Sequence, residues 1–158
     1  MTATAHALVG AAIASRFPDP IIAPILSLFS HFVLDSIPHW DFGTNWANRA
    51  KWLTGTLAII ETMIGLTLAY FLFAQKAPLP TLVLSIIASE LPDWLEAPWF
   101  IFFVKGKTEH VTDKRGILPT TFHTIYKYTN LFHTRAQLPF GLITQVATVL
   151  FFLFLLSA

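Results

Sequence analysis

The stretch LPFGLITQVATVLFFLFLLS, residues 138–157, has no charged side chain over twenty positions. At a rise of about 1.5 Å per residue, a helix of this length matches the hydrocarbon thickness of a bilayer, which is roughly 30 Å. The stretch therefore predicts a transmembrane helix in the C-terminal part of the sequence.

The composition of the whole chain also points to a membrane protein. Of the 158 residues, 54% are apolar and only 12% are charged, about half the charged fraction of an ordinary soluble domain. Ten basic and nine acidic residues give a formal charge of +1, which argues against the broad basic face of a nucleic-acid-binding protein. The sequence has no cysteine, so any metal must be held by histidine and carboxylate. We expect no nucleic-acid partner.

Three further apolar segments are long enough to be predicted as spanning helices, and a fourth is too short to cross alone. The three are residues 21–37, 53–74 and 79–104, and the short one is residues 4–15. The fold class that we expect is all-α, a polytopic membrane helical bundle with about four spanning helices plus shorter helices. No linker or change of composition divides the sequence, so residues 1–158 are expected to form a single membrane-embedded helical domain.

Two parts of the sequence are less regular. Pro92 lies inside residues 79–104, and proline removes a backbone donor and disfavours helix at the residue before it. We therefore expect a break in this helix near residues 91–93. The polar connection at residues 105–121, which contains His110, is expected to be a surface loop.

Lysine and arginine are unequally distributed between the two predicted sides of the membrane. Eight of them fall in the connections that follow residues 37 and 104, whereas the opposite side has only Arg16 and Lys76. Because cytoplasmic loops carry the excess of lysine and arginine, these two connections are predicted to be cytoplasmic.

Ionisable side chains are costly inside a membrane and are therefore functional candidates. In SHFVLDSIPHWDF, residues 30–42, His31 and Asp35 are four residues apart on one helix face, so both can reach one cation. His39 follows just after the end of this helix. Counted outward from the turn between the first two helices, His6 lies at the same depth as His31, because antiparallel helices place equal counts side by side.

A second predicted hairpin brings acidic residues toward the same region. Counted outward from its turn, Glu61 lies level with Trp94 and therefore within one turn of Asp93. His133 lies at the mouth of the last span. His123, ten residues earlier, falls about 80° away around a continuous helix, so only one of these two histidines need point inward.

Each of these residues also has a structural interpretation. His31 and Asp35 can form a hydrogen bond at a helix end without any metal. Glu61 and Glu90 can be buried, protonated acids that bond to a neighbour. Asp93, directly after a proline, can be a helix cap.

The segments TAHALVGAAIA, SHFVLDSIPHWDF, ELPDWLE and FHTRAQ, in this order, resemble the integral membrane metal-dependent hydrolase family of bacteria. The metal-site pattern of that family is similar to that of zinc-dependent phospholipase C, and the resemblance covers roughly a third of the chain. It implies metal ligands at His6, His31, Asp35, Asp93 and His133, with Gln137 where the phospholipase pattern has a carboxylate. It implies hydrolysis of a phosphoric ester in the bacterial cytoplasmic membrane, with a membrane lipid or a lipid-linked phosphate as substrate. In this chain Trp94 and Leu95 replace the family's usual second acid.

Three functions are compatible with these observations. The first is a metal-dependent hydrolase in which one or more ions of Zn²⁺, or alternatively Mn²⁺, activate a water molecule. The expected ligands are His6, His31, Asp35, His39, Asp93 and His133. Glu61 or Glu90 would be the general base, and Glu61 is preferred because no proline adjoins it. A site near the cytoplasmic face would let a headgroup reach the metal while acyl chains stay in lipid.

The second function is a non-catalytic membrane protein whose His/Asp network or bound metal is structural. A closed set of ligands without a water-accessible position would favour it. The third is a proton or ion pathway through Glu61, Glu90 and Asp93, which predicts acids distributed across the depth of the bilayer.

Overall fold

The structure, a computed structural model, describes residues 1–42, 44, 50–104 and 116–157. Within these residues the fold is all-helical, as the sequence predicts. The α-helices are α1 (Ala3–Arg16), α2 (Ile22–Ser36), α3 (Lys51–Phe73), α4 (Leu79–Pro98), α5 (Ile117–Asn130) and α6 (Phe140–Ser157). A π-helix (Trp99–Phe103) directly follows α4.

The core of the bundle is α1, which packs against α2, α3, α4 and α6. Its small side chains permit close approach, as is common where membrane helices pack together. A methyl group at Gly10 would lie only 2.7 Å from Oγ of Ser89 and 3.0 Å from the carbonyl oxygen of Ser85, both on α4. This packing buries His6 completely.

The hairpin of α1 and α2 turns at Asp19. The Asp19 Oδ1 atom accepts hydrogen bonds of 2.8 Å from the backbone amides of Ile21 and Ile22. These bonds lower the pKa of the Asp19 carboxyl below its ordinary value. They also satisfy amides at the start of α2, which has no preceding turn to bond them.

Among the described residues, α3 and α6 are the two helices that are long and apolar enough to cross a membrane. Only 22% of the most apolar window of α3 and 11% of that of α6 are buried, whereas a core helix of a soluble protein would be mostly buried. By the same criterion α2 is a shorter apolar helix and α4 does not qualify. Helix length and composition therefore support two of the four expected spans.

The predicted break near residues 91–93 is wrong, because Pro92 lies inside α4 and the helix continues to Pro98. Proline disturbs the hydrogen bonds of the turn that precedes it. In that turn the carbonyl oxygen of Ser89 accepts a hydrogen bond of 2.8 Å from Nδ1 of His31. This bond from α2 is a tertiary contact in the turn before Pro92, and the helix continues through that turn. The irregular backbone comes instead after Pro98, as the π-helix.

The predicted surface loop at residues 105–121 is partly wrong. Residues 105–115 lie outside the described part of the chain, but α5 begins at Ile117, so residues 117–121 are helical. The prediction of the cytoplasmic side rests largely on basic residues that also lie outside it. These undescribed residues are Arg49, Lys105, Lys107, Lys114 and Arg115, and His110 lies among them.

Candidate metal centre

Six buried or partly buried His and Asp side chains form two adjoining groups. The inner group is His6, His31 and Asp93, and the outer group is Asp35, His39 and His133. Within each group the candidate ligand atoms lie within 4.8 Å of one another. Each group offers two imidazoles and one carboxylate, a donor set that suits Zn²⁺. The structure thus brings together all six residues that the sequence nominates as metal ligands.

Asp35 joins the two groups. Its Oδ1 atom lies 3.1 Å from Nε2 of His6, and its Oδ2 atom lies 3.4 Å from Nε2 of His31. On the other side, Oδ2 lies 3.2 Å from Nδ1 of His133. The backbone nitrogen of Met1 also contacts Oδ1. Because one carboxylate contacts histidines of both groups, Asp35 is placed as a carboxylate between two metal ions would be.

The inner group is positioned by three packed helices. The rings of His6 and His31 stack with their centroids 4.1 Å apart, as the count along the hairpin predicts. The Nδ1–H of His31 donates to the carbonyl oxygen of Ser89, so its Nε2 lone pair faces Asp35 and, at 3.7 Å, Asp93. Such a bond to the other ring nitrogen orients metal-binding histidines in general. The buried Nδ1 atom of His6 has no hydrogen-bond partner among the described residues.

The outer group is positioned by two backbone segments that are not helical. Residues 133–136 run beside the end of α2 and the residues that follow it, with a parallel bridge between His39 and Arg135. The amide of Thr134 donates to the carbonyl oxygen of Asp35 at 2.9 Å, and the amide of His39 donates to that of Thr134 at 3.1 Å. The amide of Ala136 donates to that of His39 at 2.7 Å. These backbone hydrogen bonds place the side chain of His133 in the cluster.

The geometry of the outer group fits a metal ion. The Nδ1–H of His39 donates to the carbonyl oxygen of Ile37 at 2.8 Å, which leaves its Nε2 atom free to bind. That atom lies 3.0 Å from Nε2 of His133. Two nitrogens bound to one tetrahedral Zn²⁺ at about 2.0–2.1 Å would be separated by about 3.3 Å. Burial lowers the pKa of His39, which favours the neutral imidazole that a metal requires.

Asp41 belongs to this site although it is not among the predicted ligands. Its Oδ2 atom lies 2.6 Å from Nε2 of His133 and 3.5 Å from Nε2 of His39. Burial acts to raise the pKa of Asp41, but its polar contacts with His133 and His39 outweigh burial and hold this pKa well below its ordinary value. Asp41 is therefore a carboxylate. The available signal was its position two residues after His39.

Glu61 holds the N-terminus of α1. Its Oε2 atom accepts a hydrogen bond of 2.8 Å from the backbone amide of Ala3, and its Oε1 atom accepts one of 2.7 Å from the backbone amide of Thr4. These amides have no partner within α1, and a carboxylate is favourable at the positive end of a helix. Both oxygens of Glu61 are thus engaged in joining α1 to α3, which favours the structural interpretation of this residue.

A cavity of about 230 Å³ opens beside the two groups. Its polar lining comes from residues of the cluster and from further charged side chains: Asp41, Lys51, Glu61, Glu90, Asp93, Glu96, His133 and Arg135. Glu90 is only 3% exposed, and its Oε1 atom has no hydrogen-bond partner in the described part of the chain. Glu61, Glu90 and Asp93 share this one cavity, whereas an ion pathway would place acids at successive depths.

His123 lies apart from the cluster. Because α5 ends at Asn130, the continuous helix assumed between His123 and His133 is wrong. The ring of His123 packs against that of Trp99, with centroids 4.8 Å apart, and His133 is the histidine that faces the site. Gln137 is exposed and belongs to neither ligand group.

No family model matches the chain, and no curated protein or solved structure matches it significantly. The fold and the site therefore define a class of protein: all-helical, with two membrane-length helices and a buried His/Asp cluster that can hold a metal ion. The similarity of its motifs to the membrane metal-dependent hydrolases stays a prediction.

Proposed function

We propose that this protein is a membrane-bound, metal-dependent hydrolase of a phosphoric ester carried by a membrane lipid or a lipid-linked phosphate. The observation that carries the proposal is the pair of His₂Asp groups joined by the contacts of Asp35, of which Asp93 and His133 line a cavity that also contains other charged side chains. Catalytic zinc sites use three protein ligands and keep one position for water or substrate, whereas structural sites are closed. Each group here has three ligands and the cavity gives access, so the arrangement favours catalysis over a structural metal.

His6, His31 and Asp93 would hold one ion, His39 and His133 a second, and Asp35 would lie between them. When bound, Zn²⁺ or Mn²⁺ supplies Lewis acidity and promotes the ionisation of water near neutral pH. The carboxylate of Asp41, 2.6 Å from Nε2 of His133, would add negative charge beside the ion that His39 and His133 hold.

The remaining side chains of the cavity suit phosphoryl chemistry. The side chain of Arg135 is 31% exposed and lines the cavity, and a guanidinium group matches the geometry of phosphate oxygens. As water attacks, a bond forms between its oxygen and phosphorus, and the bond from phosphorus to the leaving alcohol oxygen breaks. Glu90 gives a proton to the alcohol oxygen and takes up the proton of the water. Glu90 is preferred over Glu61 because its Oε1 atom is unpartnered among the described residues.

We further propose that α2 and α4 lie in the bilayer beside α3 and α6, so that four helices span it. The support is the apolar surface that both helices present to the outside. Their exposed side chains include Ile22, Ile25, Phe29, Val33, Leu79, Val83, Leu84 and Ile87. The excess of lysine and arginine in the connections after residues 37 and 104 supports a site near the cytoplasmic face.

The proposal is tested by the metal content and the phosphodiesterase activity of the detergent-purified protein. The variants are His31→Ala and Asp35→Ala, and the matched control is His123→Ala, a histidine that packs on Trp99 outside the cluster. We expect about two ions per chain in the wild type and in the control. We expect loss of one ion in His31→Ala and of both in Asp35→Ala, with loss of turnover in each.

Three outcomes would contradict the proposal. Equal, near-zero metal in all four proteins would remove the metal centre. Bound metal without turnover of any phosphomonoester or phosphodiester, with or without an acyl chain, would establish the structural interpretation. Turnover that survives His31→Ala and Asp35→Ala would separate the activity from this site.

A further inference from the structure

The outer faces of α3 and α4 leave a groove between them. Both helices pack closely on α1 but contact each other little. The residues that line the groove come from these two helices alone: Ile59, Thr62, Met63, Leu66, Ile87, Glu90, Leu91 and Trp94. Its volume is about 340 Å³. We call it the α3–α4 groove.

The α3–α4 groove is continuous with the cavity beside the metal centre. Thr62, Glu90 and Trp94 line both. From Lys51, at the cavity end, to Leu66, at the far end of the groove, α3 advances fifteen residues or about 22 Å. A single depression therefore leads from the His/Asp cluster along a membrane-length helix.

The polarity of this depression changes along its length. The cavity end has charged side chains of both signs, including Arg135, and one residue of each ligand group, Asp93 and His133. Beyond Glu90, the lining side chains of the groove are aliphatic, and Met63 and Ile87 are more than half exposed on the outside of the bundle. A ligand with an anionic head and an apolar chain matches both ends, whereas a water-soluble ester would leave the groove unfilled.

We infer that the substrate of the proposed hydrolase is a lipid phosphoester that enters sideways from the bilayer, with one hydrocarbon chain in the α3–α4 groove. Its phosphate group faces the ligand groups and Arg135. The assignment of the substrate rests on the proposed function. The binding of an anionic amphiphile does not require turnover, because it needs only the groove, its membrane-facing opening and a positive charge at the ligand groups or at Arg135.

Chain binding is tested without turnover by photolabelling with hexadecylphosphonate that carries a diazirine at the middle of the chain. Its C–P bond is not a phosphoric ester and is not hydrolysed. We expect labelling of Ile59, Met63 and Ile87 over Ile60 and Ile64, which lie on α3 outside the groove. Unlabelled hexadecylphosphonate should compete and inorganic phosphate should not. The corresponding diazirine alcohol should label both sides of α3 alike.

Substitutions at adjacent positions provide a matched pair. Ile59 is 54% exposed and lines the groove, whereas Ile60 is 51% exposed and does not. Ile59→Trp fills the groove and should reduce photolabelling and the hydrolysis of a hexadecyl phosphoester about tenfold, which corresponds to about 1.4 kcal/mol of binding. Hydrolysis of a butyl phosphoester should change less than twofold. Ile60→Trp should behave as the wild type with both esters.

The outcomes distinguish the two proposals. Groove-specific labelling without turnover of any ester overturns the hydrolase and leaves the chain site established. Equal labelling of Ile59 and Ile60, or unchanged labelling and turnover in Ile59→Trp, overturns the groove. If Ile59→Trp does not fold, as judged by its thermal unfolding in detergent, the second pair, Met63→Trp and Ile64→Trp, provides the same comparison.

Discussion

The two ligand groups of the candidate metal centre are built in different ways. The inner group takes His6 from α1, His31 from α2 and Asp93 from α4, so its geometry follows from helix packing. The outer group takes His39 and His133 from segments outside the helices, which backbone hydrogen bonds hold side by side. One site can therefore depend on two kinds of contact, and each kind can be disturbed separately.

The largest effect is expected for Asp35→Asn, because the carboxylate of Asp35 contacts histidines of both ligand groups. The substitution keeps the shape of the side chain but removes the charge that contacts histidines of both groups. We expect the metal content to fall from about two ions per chain to near zero and turnover to fall at least about 100-fold. Elemental analysis and phosphodiesterase assays check this. Retention of one ion would mean that the inner group, with its own ligands His6, His31 and Asp93, does not depend on Asp35.

The next largest effect separates the groups. His6→Ala should remove the ion of the inner group and keep the other, and His133→Ala should do the reverse. Each variant is expected to hold about one ion per chain, because each group keeps its own three donors only when its histidines are intact. Metal titration of the two variants and of the double variant checks this. Loss of both ions in either single variant would show one cooperative site in place of two.

Two glycines offer a smaller, structural comparison. A Cβ at Gly141 would lie 2.6 Å from the carbonyl oxygen of Ala136 and 2.7 Å from the amide of Trp40, which are backbone atoms beside the outer group. A Cβ at Gly10 would press on Ser89, which orients His31 in the inner group. We expect Gly141→Ala and Gly10→Ala each to lower the free energy of unfolding by about 1–3 kcal/mol.

Each glycine substitution should weaken the ion of its own group more than the other ion, and thermal unfolding combined with metal titration checks this. Gly55→Ala is the control, since a Cβ at Gly55 would meet nothing within 4 Å. Equal weakening of both ions by Gly10→Ala would contradict the separate construction of the groups.

The smallest effect is expected for Thr144→Val. The hydroxyl of Thr144 donates to the carbonyl oxygen of Pro38 and so ties α6 to the segment that carries His39. Its loss should cost about 1 kcal/mol and reduce metal affinity at the outer group only slightly. In the control Thr148→Val, the lost bond of 2.8 Å runs to the carbonyl oxygen of Thr144 within α6. If Thr148→Val reduced metal affinity at the outer group as much as Thr144→Val, the hydrogen bond to Pro38 would have no specific role.

The difference between helix packing in the inner group and backbone pairing in the outer group also decides how much of the site could be predicted from the sequence. The rings of His6 and His31 could be placed at one depth because two antiparallel helices with a short turn leave little freedom. The contact of Asp41 with His133 could not be predicted, since the residues are far apart in sequence and neither lies on a helix. The role of Glu61 could not be predicted either. Its carboxylate accepts hydrogen bonds from backbone amides of α1, and backbone amides have no sequence signature of their own.

The tolerance of Pro92 shows a third limit of prediction. Local chemistry favours a break there, yet α4 continues to Pro98, and in the turn before Pro92 the carbonyl oxygen of Ser89 accepts a hydrogen bond from His31 of α2. A rule about one residue and its neighbours cannot include a partner from another helix. The irregular backbone lies instead in the π-helix after Pro98.

By itself the sequence determined that the protein is helical, that two of its helices are long and apolar enough for a membrane, and which six side chains are candidates for a metal. These properties depend on apolar length, helical period and residue chemistry, which act locally. Only the tertiary structure decided that the six form two groups joined at Asp35 and that a groove leads from them along α3. Those features arise from contacts between segments distant in sequence, where packing and backbone pairing select one arrangement among many.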